Sequence, residues 1–197
     1  MAFIAFLGCD GSGKSAVIQG AAGRLRADGA AVILGHWMPK AFSGAEVSKA
    51  NAADDPHGQA PRGVISSVLK LGWLWMNWWT AWFRSLRTVS HKGIILFDRY
   101  HADLLVDPRR YRYGGPIWLA HLASRAMPQP DQVFFLDAEP DVLLSRKQEV
   151  SIEALQKGRT AYLKLCRSDS RFQVIDASQP LEQVIESVIE SIRAVTT

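Results

Sequence analysis

Eight residues near the start of the chain, Gly8-Cys9-Asp10-Gly11-Ser12-Gly13-Lys14-Ser15, follow directly on the apolar run Phe3-Ile4-Ala5-Phe6-Leu7. The spacing is G-x-x-x-x-G-K-[ST], a pattern that works only between a strand and the start of a helix. Its glycines let the backbone wrap a phosphate so that successive N–H groups point inward. A helix starting near Lys14 turns its positive dipole end to the same point. Lys14 is then placed for the β- and γ-phosphates of a nucleoside triphosphate, and the Ser15 hydroxyl for Mg²⁺. Gly8, Asp10, Gly11, Ser12, Gly13, Lys14 and Ser15 are therefore the candidate residues for holding ATP with Mg²⁺. A chance glycine turn would not need an apolar strand before it and a helix after it.

Four further apolar runs follow: Ala31-Val32-Ile33-Leu34, Ile94-Ile95-Leu96-Phe97, Val133-Phe134-Phe135-Leu136 and the weaker Phe172-Gln173-Val174-Ile175. Most lack polar alternation, as strands covered on both faces do in parallel sheets. Helical patterns separate them. In the last, Leu181, Val184, Ile185, Val188, Ile189 and Ile192 recur at helical spacing, with Glu182, Glu186 and Glu190 on the other side. Asp28-Gly29 closes the first helix, Pro61 opens a long central one, and His36 to Arg62 reads as a long irregular excursion. This alternation predicts one α/β domain over residues 1–197: a three-layer sandwich with a five-stranded parallel sheet flanked by helices.

Composition narrows the function class. Hydrophobic residues are 48% and charged residues 21%, which excludes disorder as the main organisation. Two cysteines exclude a disulfide framework and make a reducing cytoplasm the expected compartment. The net charge of +4, without a block of five like charges, suits a small anionic substrate better than nucleic acid. No basic, long-apolar secretory leader is expected, and Leu71 to Phe83, though rich in tryptophan, is too short to span a bilayer. Trp73, Trp75, Trp78, Trp79 and Trp82 make that helix apolar on more than one side, and core plus a homodimer interface is the reading preferred over a binding box.

Three more clusters bear on the chemistry. Asp98 ends a buried strand, where a metal's second contact belongs, and Arg99 beside it can grip a phosphate with two parallel N–H bonds. After Tyr100 the chain gathers Arg109, Arg110 and Arg112 with Tyr111 and Tyr113, able to clamp an anionic acceptor by charge and stacking, or simply a solvated basic loop. Arg146, Lys147, Lys157 and Arg159 suggest a basic lid over about 145–160, although a charge run of this kind is also an ordinary solvated face.

With these motifs in this order, the chain resembles the thymidylate kinase family of P-loop kinases. The likeness rests on Gly8 to Ser15, Asp98-Arg99-Tyr100, Pro130 to Pro140, Leu144-Ser145-Arg146 and Val174 to Leu181, and so covers nearly the whole chain. It implies a P-loop NTPase fold and an ATP-dependent phosphotransferase whose acceptor is most simply a nucleoside monophosphate. By resemblance, Asp10 binds an acceptor hydroxyl, Lys14 and Ser15 hold phosphates and Mg²⁺, Arg99 orients the acceptor phosphate, and Asp98 supports the metal. Tyr100 is grouped with the acceptor; Arg146 lies against adenine, whose edge is read by the backbone at Ala177. Arg146, Lys147 and Arg159 stand in for a basic residue missing inside the P-loop. The stretch from His101 to Gly115 departs from the family pattern, and the tryptophan helix with Ser90-His91-Lys92-Gly93 replaces its usual arginine-bearing segment. The donor side is thus the family's and the acceptor side rewritten, so a sugar or sugar phosphate is the alternative acceptor. A non-catalytic ATP-binding protein would be expected to break the P-loop or the Asp-Arg pair, and both are intact.

Overall fold

A computed structural model describes residues 2–37, 60–86, 93–147 and 150–196. Most of the expected excursion between His36 and Arg62, the Ser90-His91-Lys92 segment and residues 148–149 of the expected lid lie outside the described residues.

Five strands, β1 (Ala2–Leu7), β2 (Val32–His36), β3 (Ile94–Asp98), β4 (Gln132–Asp137) and β5 (Phe172–Asp176), form one sheet in the order β2-β3-β1-β4-β5. Every pairing is parallel. The central strand explains its own sequence. Ala2, Ile4 and Phe6 enter one hydrophobic cluster, while Phe3, Ala5 and Leu7 enter the other. Successive side chains of a strand point to opposite faces, so a strand with a helical layer on each side must be apolar throughout.

The first layer consists of α1 (Lys14–Ala27) and α7 (Leu181–Thr196), which pack on Ile4, Phe6 and Phe134 through Val17, Ala21, Val188 and Ile192. On the other face lies α2 (Val64–Ala81), continued by a π-helical turn (Trp82–Leu86). Its Trp78 is fully buried against Phe3, Phe97 and Tyr100. Around that face are α3 (Ala102–Val106) and α4 (Ile117–Arg125); α5 (Pro140–Arg146) joins the first cluster through Leu143, and α6 (Ile152–Ser168) reaches both, with Leu155 in the first and Tyr162 in the second. The P-loop NTPase α/β fold expected from the alternating pattern is the fold found. Pro61 precedes α2, but the helix begins at Val64, after Gly63.

This topology fixes where chemistry can occur. The strand order reverses beside β1, and the carboxyl ends of β1 and β3 open there. Such a switch point leaves a crevice for a ligand in open α/β sheets.

Candidate active site

The phosphate loop fills that crevice. Gly11 (φ +85°) and Gly13 (φ +79°) take left-handed conformations that favour glycine. A Cβ on Gly11 would also lie 2.6 Å from the Leu143 carbonyl oxygen, so the loop threads a gap only a glycine fits. Gly13 caps α1 without a side-chain hydrogen bond, and the first turn carries no acidic residue. The N–H groups at that end are left for an anion.

Lys14 is buried, and its Nζ donates to the Gly8 and Cys9 carbonyls, both at 2.9 Å, and to Ser12 Oγ at 3.2 Å. The lysine thus folds back along the loop that would cradle phosphate. Burial, then Arg99, depresses its pKa to about 8. Phosphate charge at the same point would favour its protonated form.

Ser15 Oγ donates to Asp98 Oδ2 at 3.2 Å, bringing the two expected metal contacts together. Asp98 Oδ1 is buried and without a hydrogen-bond partner. A hydroxyl and a carboxylate oxygen with spare capacity suit a hard cation that completes its shell with waters and phosphate oxygens. Among the described residues no cluster of three or more His, Cys, Asp or Glu could hold a metal without such help.

Across the cleft the residues expected on the acceptor side form a network of ion pairs. Arg99 Nη2 donates to Asp10 Oδ1 at 2.8 Å and Nη1 to Asp103 Oδ2 at 2.7 Å. Arg110 Nη1 donates to Asp10 Oδ2 at 2.5 Å. Burial raises the Asp10 carboxyl, yet Arg110, Arg99 and Lys14 outweigh it and hold the pKa at about 2. Burial likewise opposes the Arg99 charge, but Asp103 and its neighbours raise its pKa above the ordinary guanidinium range. Arg99 sits at φ +68°, a backbone conformation that costs a non-glycine residue on the order of 1–3 kcal/mol. It is held there by its N–H on the Phe6 carbonyl and by the two carboxylates.

Asp103 was not legible as a site residue. Only 1% exposed, it accepts from Arg99, from Tyr162 OH at 2.7 Å and from Tyr111 OH at 3.1 Å. Burial, then Asp103, keeps both phenols protonated, with pKa values well above the usual range, so both remain donors. Tyr111 also stacks on Trp37 at 4.6 Å between ring centroids. One carboxylate therefore joins β3, the arginine-rich turn and α6.

Other expected site residues are dispersed. Arg110 reaches the cleft, whereas Arg109 is exposed and Arg112 (φ +53°) turns its Nε to the Ala60 carbonyl at 3.1 Å. The expectation for Tyr100 does not match its position. It is buried among Phe3, Trp78 and His101, and its hydroxyl donates to the Pro128 carbonyl, because its ring fills the core beneath β3. Arg146 Nη1 donates to the Ala177 carbonyl at 2.8 Å, so these two candidates do meet. Arg159 lies on Asp137 (2.8 and 3.0 Å) and Glu139 (2.5 Å), a paired cation rather than one extended over the loop. Lys147 and Lys157 are exposed.

A smaller pocket adjoins the acceptor side between α2, α3 and the 111–113 turn, with Trp37, Leu71 and Leu74 as apolar wall and Lys70 and Arg112 as cations. Burial, then Arg62 and Arg112, lowers the Lys70 pKa. No described helix is long and apolar enough to cross a membrane.

Comparison with known proteins agrees with this fold. A family profile described as thymidylate kinase matches residues 77–188, more than half of the chain. A probable thymidylate kinase of Sulfolobus acidocaldarius is 22% identical over 201 residues, covering 94% of this chain and 93% of the relative. A probable thymidylate kinase of Methanosarcina mazei is 36% identical over 116 residues, 50% of this chain and 53% of its own.

Proposed function

The chain belongs to the thymidylate kinase family of P-loop nucleoside monophosphate kinases, and from that premise we propose that it moves the γ-phosphoryl group of ATP to a small anionic acceptor, most simply a nucleoside monophosphate, in the cytoplasm. One observation carries the reading. Asp10, on the phosphate loop, is bridged to Arg99 and Arg110 from the acceptor side, so donor loop and acceptor cations share one hydrogen-bonded network.

The chemistry asks for alignment and charge stabilisation rather than covalent catalysis. On ATP binding, Lys14 exchanges the Gly8 and Cys9 carbonyls for β- and γ-phosphate oxygens, and the loop N–H groups take the rest. Ser15 and Asp98 would hold Mg²⁺, which would supply positive charge against the triphosphate. Arg99 and Arg110 turn from Asp10 to the acceptor phosphate, and the freed Asp10 carboxylate accepts from an acceptor hydroxyl. An acceptor oxygen forms a bond to the γ-phosphorus as the bond to the β–γ bridging oxygen breaks, and ADP leaves. Arg146, anchored on Ala177, flanks the adenine.

A second reading concerns the acceptor alone. Lys70 and Arg112 beside the small pocket favour an acceptor with an anionic group besides the phosphate that reacts, which a sugar bearing a second phosphate would supply and dTMP would not. A coupled ADP-release assay against nucleoside monophosphates, sugars and sugar phosphates tests both readings. Turnover of dTMP with kcat/KM in the ordinary range of about 10⁴–10⁸ M⁻¹s⁻¹ would eliminate the second. ADP release with none of these acceptors would count against the first.

A further inference from the structure

Trp37 stands where β2 ends beside the acceptor side, and the steps of phosphoryl transfer give it no task. Its backbone N–H donates to the Asp98 carbonyl at 3.0 Å, and its φ of +30° is one that a bulky residue seldom adopts. Backbone strain of this kind collects at binding sites and ligand clamps. The indole stacks on Tyr111, with 19° between the ring planes. Its Nε1 is buried and, among the described residues, has no hydrogen-bond partner. A buried donor left unpaired forfeits its bond to water, so it calls for an explanation.

The small pocket that this indole lines supplies one. Its polar equipment is one-sided. Trp37 Nε1, Lys70 Nζ and the Arg112 guanidinium donate and have no lone pair to offer. Among the described residues the lining contains no Asp, Glu, Asn, Gln or His. The side-chain oxygens it does hold are engaged. Ser67 Oγ accepts from the Gly114 N–H at 2.9 Å, while the Tyr111 hydroxyl donates to Asp103 at 3.1 Å and the Tyr113 hydroxyl to the Pro116 carbonyl at 3.0 Å. A nucleobase edge mixes N–H donors with acceptors, and its donors would be buried here without partners. A phosphoryl or carboxyl group only accepts, and it matches this lining.

The pocket is also joined to the reacting end. Lys70 Nζ donates to the Tyr111 carbonyl at 3.4 Å, and the Tyr111 hydroxyl shares Asp103 Oδ2 with Arg99 Nη1. A group seated against Trp37 and Tyr111 therefore lies one hydroxyl and one carboxylate away from Arg99.

We propose that the small pocket is an oxyanion subsite of the acceptor, and that Trp37, through its indole N–H, is a specificity-determining residue of that subsite. On the second reading of the acceptor, on which this rests, the additional anionic group sits here and a base does not. The indole turns from the Tyr111 stack far enough to give its N–H to one oxygen of that group. Lys70 adds a charge-assisted bond.

The test is calorimetry on the full chain saturated with ADP and Mg²⁺, titrated with glucose 1,6-bisphosphate, fructose 1,6-bisphosphate, the two corresponding 6-phosphates and dTMP. At least one bisphosphate should bind about tenfold more tightly than its 6-phosphate. Trp37→Phe keeps a ring on Tyr111 and removes the donor. It should erase most of that difference while ADP affinity and the circular dichroism spectrum stay as in the parent. The parent supplies a second measurement: one indole N–H resonance should move downfield when the bisphosphate is added and stay in place when ADP is. Equal binding of bisphosphates and 6-phosphates would overturn the subsite, even where dTMP binds well. A bisphosphate preference that survives Trp37→Phe, or leaves every indole resonance unmoved, would overturn the role of Trp37 and leave the second reading standing. If none of the five compounds binds, that reading falls and the proposal falls with it.

Discussion

The two halves of the site are built from different material. The donor half is held largely by backbone: glycines at positive φ, the open end of α1, and loop carbonyls holding Lys14. The acceptor half is held by side chains, in a web of Asp10, Arg99, Asp103 and Arg110 closed by two tyrosines. A backbone cradle is written by local spacing and tolerates little variation. A side-chain web can be rewired without disturbing the strands beneath it. It also keeps its arginines occupied, so an acceptor must exchange with carboxylates rather than fill empty positions.

Breaking the donor half should have the largest effect. Lys14→Ala removes the cation that meets the triphosphate and is expected to lower kcat by about a thousandfold or more. Thermal denaturation should change little, because this lysine pairs only with its own loop. Wild-type turnover would refute the assignment of the loop.

Arg99→Lys breaks the acceptor half. A lysine cannot span Asp10 and Asp103 or match a phosphate with two parallel bonds. The acceptor kcat/KM should fall by about a hundredfold while the ATP Kd, by calorimetry, stays nearly constant. If ATP affinity falls instead, Arg99 belongs with the donor and the contrast between the halves fails.

Asp103→Asn sharpens the contrast. It keeps shape and loses charge, so Arg99 should be less firmly held at φ +68°. We expect about a tenfold rise in acceptor KM, with the donor side untouched. Tyr162→Phe should give a smaller change in the same direction; an effect confined to ATP would separate α6 from the acceptor network.

The smallest effect separates the halves by pH. The free-site pKa of Lys14 is about 8 and bound phosphate should raise it. ATP affinity should therefore be flat below about pH 8 and fall as pH rises above it, since binding then requires proton uptake. Calorimetry near that pH, in buffers of different ionisation heat, would show the uptake, and Lys14→Ala should abolish it. Asp10, held at about 2, stays charged throughout that window and should contribute no slope.

How much of this was legible follows from the same contrast. Gly8 to Ser15 and Asp98-Arg99 could be read because their roles depend on neighbours in sequence and on the strands that carry them. β1, β3 and β4 could be read because both of their faces are covered, whereas the edge strand β5, with Val174 44% exposed, carried the weaker pattern. Asp103 and Tyr162 could not, being 59 residues apart and joined only by the fold. Among Arg109, Arg110 and Arg112 the sequence offers three equal cations, and only the turn, with Arg112 at φ +53°, decides that Arg110 faces Asp10. In α2 the apolar period was visible, but with large apolar residues on both faces it could not say which one meets the sheet.

The two contacts of α6 have a thermodynamic consequence. Arg159 grips the Asp137 and Glu139 carboxylates, and the Asp137 carbonyl accepts from the Ala177 N–H at 2.6 Å, on the side proposed for adenine. One turn along, Tyr162 holds the carboxylate that positions Arg99. A single helical turn thus touches both the end of β4 proposed to face adenine and the carboxylate that holds Arg99. Any shift of α6 on ATP binding is felt at Arg99, and the coupling must be reciprocal: whatever factor ATP adds to acceptor affinity, the acceptor returns to ATP.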